Sequence, residues 1–159
     1  MQINITGTNS KRLKGLLSQA AEFFANQLMD PRMVRDITLD IDLYDELEVN
    51  GECVNEDDTR RSRWFTINLK KDPKGEDILQ VLAHEMVHVK QYAKNELSKK
   101  FSSHKRGKVL EVGLMGFWMG EQWNPKRKED PYFDAPWEIE AYGREVGLIY
   151  KWHAHKEAK

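Results

Sequence analysis

The sequence predicts an α+β domain, because helical and strand-like apolar patterns alternate along its 159 residues. Lys11 to Met29 has Leu, Ala and Phe at helical spacing. Ile37 to Leu43 and Trp64 to Leu69 alternate apolar with polar side chains, which is the period of a half-buried strand. Two further helices are predicted, one over about residues 76–94 and one from about Trp137 to His153.

Capping and breaking residues support these boundaries. Asn9 or Ser10 is a suitable N-cap for the first helix, and Asp30-Pro31 ends it. The acidic pair Glu76-Asp77 suits the start of the second helix, because a helix N-terminus carries partial positive charge. Pro136 is favoured in a first turn and therefore opens the last helix.

The segments between these elements are rich in turn residues. Asn50-Gly51 predicts a hairpin connection, and the polar stretch Glu52 to Arg63 predicts a loop. Asn95 to Lys108 also has a loop composition, whereas Phe117 to Trp123 predicts a short hairpin. Asn124 to Asp134 is expected to be a surface connection. We therefore expect a small, mostly antiparallel sheet within a single domain spanning residues 1–159.

Composition restricts the possible partners and compartments. A formal net charge of −1 gives no electrostatic reason to expect nucleic-acid binding. Cys53 is the single cysteine, which excludes an internal disulfide and a cysteine zinc ribbon and suits a reducing compartment. The uncharged apolar run from Val112 to Gly120 is too short to span a bilayer. These features predict a cytoplasmic protein without a membrane partner.

The most informative motif is His84-Glu85-Met86-Val87-His88. On a helix, residues at i and i+4 project from one face, so His84 and His88 are spaced to bind one zinc ion. Glu85 lies about 100° further round the helix, where its carboxylate can act on a water molecule instead of binding the metal. The motif therefore predicts a zinc-dependent hydrolase.

A catalytic zinc site normally has three protein ligands, so a third must come from elsewhere in the chain. The last helix offers Glu138 and Glu140. At about 100° per residue, Glu138 lies roughly 60° from the centre of the apolar stripe of that helix and Glu140 roughly 140°. Glu138 is therefore predicted to face inward and Glu140 to face water. The residues of that predicted stripe are Ile139, Tyr142, Val146 and Ile149.

With these residues the chain resembles the gluzincin branch of the zincin metallopeptidases. In that branch an HExxH helix is followed by a helix that donates a Glu ligand, and small members carry Glu-x-x-Ala there. The resemblance assigns Glu138 as ligand, with Ala141 completing the motif. In these small members an Asp or Asn often follows the Ala of the motif, whereas this chain has Tyr142 at that position. The residues that surround the Glu ligand in those members therefore cannot be assigned to this chain. A metzincin-type site is excluded, because it would require Gly and His where Gln91 and Lys94 stand.

The chain also resembles SprT-type metalloproteases, in which a third His follows the HExxH pair after a similar gap. This resemblance points to His104 as the alternative ligand. The neighbouring residues depart from that pattern, because Lys105 and Arg106 stand where Gly is usual. Both candidates for the third ligand remain open on the sequence.

Both resemblances imply a zinc metallopeptidase that hydrolyses a peptide or protein substrate, with Glu85 as general base. A phenol or imidazole would stabilise the developing oxyanion, with Tyr142 as first candidate and His153 as second. In zincins an edge strand above the metal pairs with the substrate backbone, and the strand Trp64 to Leu69 matches that role as well as it matches an ordinary internal strand. Two alternatives remain, namely a peptidase-like regulator acting on one partner protein and a non-catalytic protein stabilised by zinc.

The third ligand can be identified by measuring zinc per chain in protein purified without an affinity tag. We expect close to one zinc ion, lost in Glu138→Gln and kept in His104→Ala, because removal of a ligand weakens a three-ligand site severely. Loss of zinc only in His104→Ala would assign His104 as the ligand. A parent protein without zinc even after reconstitution would contradict the metal site altogether.

Overall fold

The computed structural model describes residues 1–57, 59–73, 75–106, 109–124 and 132–158, with side chains except at 100–106 and 109–115. Helices and small sheets are mixed along the chain, in agreement with the predicted α+β class. In chain order the elements are β1 (Gln2–Thr6), α1 (Lys11–Leu28), α2 (Pro31–Arg35), β2 (Thr38–Tyr44), β3 (Gly51–Asn55), β4 (Trp64–Lys70), α3 (Ile78–Ala93), β5 (Leu97–Arg106), β6 (Val109–Trp118), β7 (Glu121–Gln122) and α4 (Pro136–Glu157).

The larger sheet has four strands in the order β1-β2-β4-β3. Strands β1, β2 and β4 are mutually parallel, and β3 pairs with β4 in antiparallel orientation. The expectation of a mostly antiparallel sheet is therefore wrong for this sheet. Helices α1 and α2 form the crossover that lets β1 and β2 run parallel, whereas a hairpin would have made them antiparallel.

Strand β3 corrects two predictions from the sequence. Residues Gly51–Asn55 form a strand, although Glu52 to Arg63 was expected to be a loop. Asn50-Gly51 does not close a hairpin between β2 and β3, because β3 pairs with β4. Strand β4 therefore lies inside the sheet, which is one of the two alternatives considered for Trp64 to Leu69, and β3 is the edge strand. Residues 51–55 form a strand because their backbone pairs with β4, and the polar composition of this part of the chain does not predict that pairing.

The core lies between one face of this sheet and helices α1, α3 and α4. Strands β2 and β4 bury every second residue, as predicted, because side chains alternate between the two faces of a strand. Leu39, Ile41, Phe65 and Ile67 are fully buried against residues of α1 and α3. The other face of the sheet is polar, with Asn4 donating to Asp40 at 2.7 Å.

Helix α3 runs through the centre of the protein. Asp77 caps its N-terminus by accepting a hydrogen bond from the backbone N–H of Leu79 at 2.7 Å. Nearly every residue from Leu79 to Ala93 is buried, although a lysine such as Lys90 would normally mark a solvent-facing side. Lys90 itself is only 5% exposed. Helix α4 packs along α3, and Glu140 of α4 and Glu96 lie against Lys90.

The smaller sheet has the order β5-β6-β7 and is antiparallel. Its first strand corrects the loop predicted for Asn95 to Lys108, since β5 pairs along its whole length with β6. The hairpin predicted for Phe117 to Trp123 is confirmed. Its turn residues Met119 and Gly120 both have positive φ, 52° and 87°, as a tight two-residue hairpin requires. No described helix is long and apolar enough to cross a membrane.

Gly51 sets the distance between the edge strand and helix α3. A Cβ atom at this position would lie 2.5 Å from Cγ1 of Val81 and 3.0 Å from Oε1 of Glu85. Both distances are closer than normal van der Waals contact. The absence of a side chain at Gly51 therefore lets β3 lie directly against the HExxH motif.

We expect Gly51→Ala to destabilise the protein by about 1–3 kcal/mol, because the added methyl group overpacks this contact. Gly143→Ala on α4 is the matched control, because a Cβ atom there meets nothing within 4 Å. It should raise stability by up to about 1 kcal/mol through helix propensity. Urea unfolding of both variants tests this, and equal stabilities would contradict the close contact.

Candidate metal centre

Helix α3 places the two histidines of the motif side by side. Their ring centroids are 5.0 Å apart, and each residue is 7% exposed. This is the consequence of i and i+4 spacing on a regular helix. The helix itself is held rigidly by burial on several sides, so the separation of the two rings does not depend on a loop.

Glu138, in the first turn of α4, lies beside both histidines. Its Oε2 is 3.3 Å from Nε2 of His84, and its Oε1 is 3.5 Å from Nε2 of His88. The structure thus brings the three predicted ligands together and buries Glu138, as expected. The predicted apolar stripe that led to this orientation is wrong, because Ile139 is 59% and Val146 66% exposed. Glu138 faces inward because α4 buries Ala141, Leu148 and Trp152 on that side.

The geometry of these three residues fits a zinc ion. Four ligands at about 2.0–2.1 Å from zinc in a tetrahedron lie about 3.3–3.4 Å from one another. The contacts of Glu138 with the two rings, each made by a different carboxylate oxygen, are close to that separation and longer than the 2.8 Å contact of His84 with Glu145. All candidate ligand atoms of the cluster lie within 4.8 Å of one another. The residues therefore form a three-ligand set suited to a transition metal.

Glu145 orients His84. Its Oε2 lies 2.8 Å from Nδ1 of His84, and its Oε1 accepts a hydrogen bond from Nε2 of Gln80 at 2.8 Å. A carboxylate accepts, so Nδ1 of His84 carries the proton, and in the neutral ring Nε2 keeps its lone pair directed at Glu138. A carboxylate behind a ligating histidine is the usual support of a zinc site. The spacing of seven residues puts Glu145 on the same side of α4 as Glu138, but the sequence does not show this contact with His84.

Gln91 orients His88, and the sequence analysis missed it. Its Nε2 donates to the backbone oxygen of Trp137 at 2.9 Å and to Oε2 of Glu140 at 3.0 Å. Both partners are acceptors, so Oε1 must be the atom 2.8 Å from Nδ1 of His88 and accept from it. His88 therefore also presents a free Nε2. The only local signal was its position three residues after His88 on the same helical face.

Glu140 does not face water, which corrects the prediction from the helical wheel. Its Oε1 lies 2.6 Å from Nζ of the buried Lys90 and 2.8 Å from Nε of Arg144. These contacts and the one from Gln91 lower the pKa of Glu140 against the opposing effect of burial. The residue joins α4 to α3 beside the ligand Glu138.

Glu85 stands apart from the three ligands. It is 5% exposed, and its carboxylate has no hydrogen-bond partner among the described residues. Burial raises its pKa to about 7, and the imidazoles of His88 and His84 oppose the shift. A carboxyl group with a pKa near neutrality can both accept and release a proton under physiological conditions.

Two residues of the cluster, His84 and Glu138, carry strongly shifted pKa values. Burial lowers the pKa of His84, but its contact with Glu138, the charge of Glu85 and its contact with Glu145 outweigh burial and raise the pKa to about 9. Burial raises the pKa of Glu138, but contacts with His84 and His88 lower it to about 2. A proton on His84 therefore competes with a metal ion at neutral pH, because a ligating imidazole must be neutral.

Two tyrosines lie beside the cluster. The ring of Tyr142 is 4.6 Å from that of His84, and Tyr132, which the sequence did not suggest, interacts through its hydroxyl group with Glu138. Burial raises the pKa of both phenols. His153 is too distant, because it is exposed and about 22 Å further along the axis of α4 than Glu138. The backbone of His104 belongs to β5, and its side chain lies outside the described residues.

Two open clefts meet at Glu85. The first, of about 380 Å³, extends along His84, Glu145 and the loop before β3. The second, of about 230 Å³, extends along His88 and Glu138 towards Cys53 and Lys99. Tyr132 contributes to both. The candidate metal centre is therefore accessible from two sides of one continuous groove.

Comparison of the chain with family models, with curated protein sequences and with solved structures found no match. We therefore infer function from the geometry and chemistry of the site alone.

Replacement of Gln91 by Met should weaken zinc binding about 10- to 100-fold, because Nδ1 of His88 loses the acceptor that orients it. Gln27→Met is the matched control and should leave zinc affinity unchanged, because the side chain of Gln27 is at the surface and its one hydrogen bond with a described residue comes from Lys151. Competition with a chromophoric chelator measures both. Equal affinities in the two variants would show that Gln91 does not orient His88.

Proposed function

We propose that this protein is a zinc-dependent peptidase. The observation that carries the proposal is a cluster of three possible ligands, His84, His88 and Glu138, next to the buried carboxylate of Glu85, which forms no hydrogen bond with a described residue and borders an open groove. A structural zinc site usually has four protein ligands, whereas a catalytic site has three and an accessible position. The described residues offer three.

His84, His88 and Glu138 would hold the Zn²⁺ ion. When bound, zinc supplies Lewis acidity that polarises a carbonyl group and makes water more acidic. Glu145 and Gln91 keep both imidazoles in the tautomer that leaves Nε2 free for binding. With one carboxylate ligand the occupied site has a net charge of +1, which favours a developing oxyanion.

Glu85 is the proton-transfer residue in this mechanism. It accepts a proton from the water that attacks the scissile carbonyl and passes it to the leaving amine. Its burial suits this role, because a carboxylate without fixed partners is free to bond to the reactants. Tyr132 and Tyr142 remain protonated at neutral pH, since their pKa values are raised, and each can donate a hydrogen bond to the oxyanion.

Strand β3 is the candidate docking edge for a substrate backbone. It is the edge of the sheet, and Gly51 and Cys53 on it line the groove beside Glu85. An extended peptide can add to such an edge by main-chain hydrogen bonds. This role replaces the one considered for Trp64 to Leu69, since β4 has neighbours on both sides. The substrate would therefore be an extended segment of a peptide or protein.

Glu85→Gln separates catalysis from metal binding. We expect the variant to keep about one zinc ion per chain and to lose peptidase activity on unfolded casein by at least about 100-fold, because the amide cannot accept the proton. Glu22→Gln, on the exposed surface of α1, should leave zinc content and activity unchanged. Zinc content and the release of peptides are measured on the same preparations.

Casein cleavage by Glu85→Gln at the parental rate would exclude Glu85 as the base. A zinc-loaded parent protein that cleaves no casein and no peptide would contradict the peptidase proposal and favour a zinc-stabilised protein without catalysis.

A further inference from the structure

The two halves of the groove differ in charge. The larger cleft, which we call the acidic cleft, contains the four carboxylates of Glu48, Glu76, Glu85 and Glu145, and none of its described lining residues is Lys or Arg. The smaller cleft is lined by the three carboxylates of Glu52, Glu85 and Glu138 together with the cation of Lys99. The larger cleft therefore has the greater excess of negative charge.

Three of the four carboxylates of the acidic cleft have no described cation paired with them. Glu145 is paired with the imidazole of His84 and also contacts the amide of Gln80. Glu76 accepts from Nδ2 of Asn50 at 2.8 Å, and none of the salt bridges in the described part of the chain involves Glu48, Glu76 or Glu85. The negative charge of Glu48 and Glu76 is therefore available to a ligand.

The carboxylate of Glu85 independently indicates that a ligand completes this cleft. It is 5% exposed, faces the cleft and has no hydrogen-bond partner among the described residues. A buried polar group without a partner is unfavourable, and in native proteins such groups are usually satisfied by a ligand or water. A volume of about 380 Å³ leaves room for a long side chain.

We propose that the acidic cleft is a specificity subsite for a Lys or Arg side chain of the substrate, adjacent to the bond that is cleaved. This inference rests on the proposed peptidase function. Glu76 and Glu48 lie at the outer part of the cleft, where a cationic head group keeps partial hydration while its methylene stem lies along Val81 and Tyr142. Carboxylates pair with guanidinium and ammonium groups by charge-assisted hydrogen bonds.

The test uses three fluorescent peptides that differ at one central residue, which is Arg, Leu or Glu. Cleavage by the zinc-loaded parent protein and binding to zinc-loaded Glu85→Gln are measured in parallel, by product formation and by fluorescence anisotropy. We expect the Arg peptide to be cleaved and bound roughly tenfold better than the Leu peptide, and the Glu peptide to be the poorest. The preference should fall at high salt, because screening weakens exposed charge pairs.

The double variant Glu48→Gln/Glu76→Gln should reduce the preference for Arg to about twofold or less, because it removes two charges. Gln at position 76 can still accept the hydrogen bond from Asn50, so the loop is retained. Glu46→Gln is the matched control, because Glu46 is on the same loop but outside the cleft and should leave the preference unchanged. Thermal unfolding confirms that the variants are folded.

Cleavage of all three peptides at similar rates would overturn the subsite while leaving the peptidase function intact. Absence of cleavage with selective binding of the Arg peptide to Glu85→Gln would contradict the peptidase function and leave the cationic subsite standing. Absence of both, or a preference for Arg that survives in the double variant, would overturn the subsite.

Discussion

The contact between α3 and α4 is the interaction on which the rest of this structure depends. Helix α3 is almost wholly buried, yet it carries two imidazoles, an amide and an ammonium group that must all be satisfied. The partners come largely from the first half of α4. Glu145 satisfies His84, and the backbone oxygen of Trp137 and Glu140 satisfy Gln91. The candidate metal centre is one part of this polar interface.

The same interface explains why a lysine is tolerated inside the protein. Nζ of Lys90 lies 2.6 Å from both Glu140 and Glu96, so its charge is balanced by two carboxylates. Removal of one partner of such a pair costs several kcal/mol, about 3–5, because a buried charge is left uncompensated. The network fixes the rotation of α4 about its axis and thereby the direction of Glu138. The position of Glu138 beside the two histidines therefore depends on how α4 packs against α3.

Strand β3 defines the other wall of the site by a different constraint. Gly51 brings the edge of the four-stranded sheet against Val81 and Glu85, so the carboxylate of Glu85 lies beside a sheet edge. The groove then divides at Glu85 into an acidic cleft and a cleft that contains Lys99. The packing of α4 on α3 thus orients the three candidate metal ligands. The close approach of β3 shapes the two clefts beside Glu85.

The sequence by itself determined the α+β class, the five main helical and strand segments around the core, and the spacing of His84, Glu85 and His88, because these follow from local periodicity along one element. It also singled out Glu138, although through an apolar stripe that the structure shows to be exposed. Only the tertiary structure decided the parallel sheet, the strands β3 and β5, and the roles of Gln91, Glu140 and Tyr132 at the site. Each of these features depends on contacts between residues far apart in the chain, and local composition does not predict such contacts.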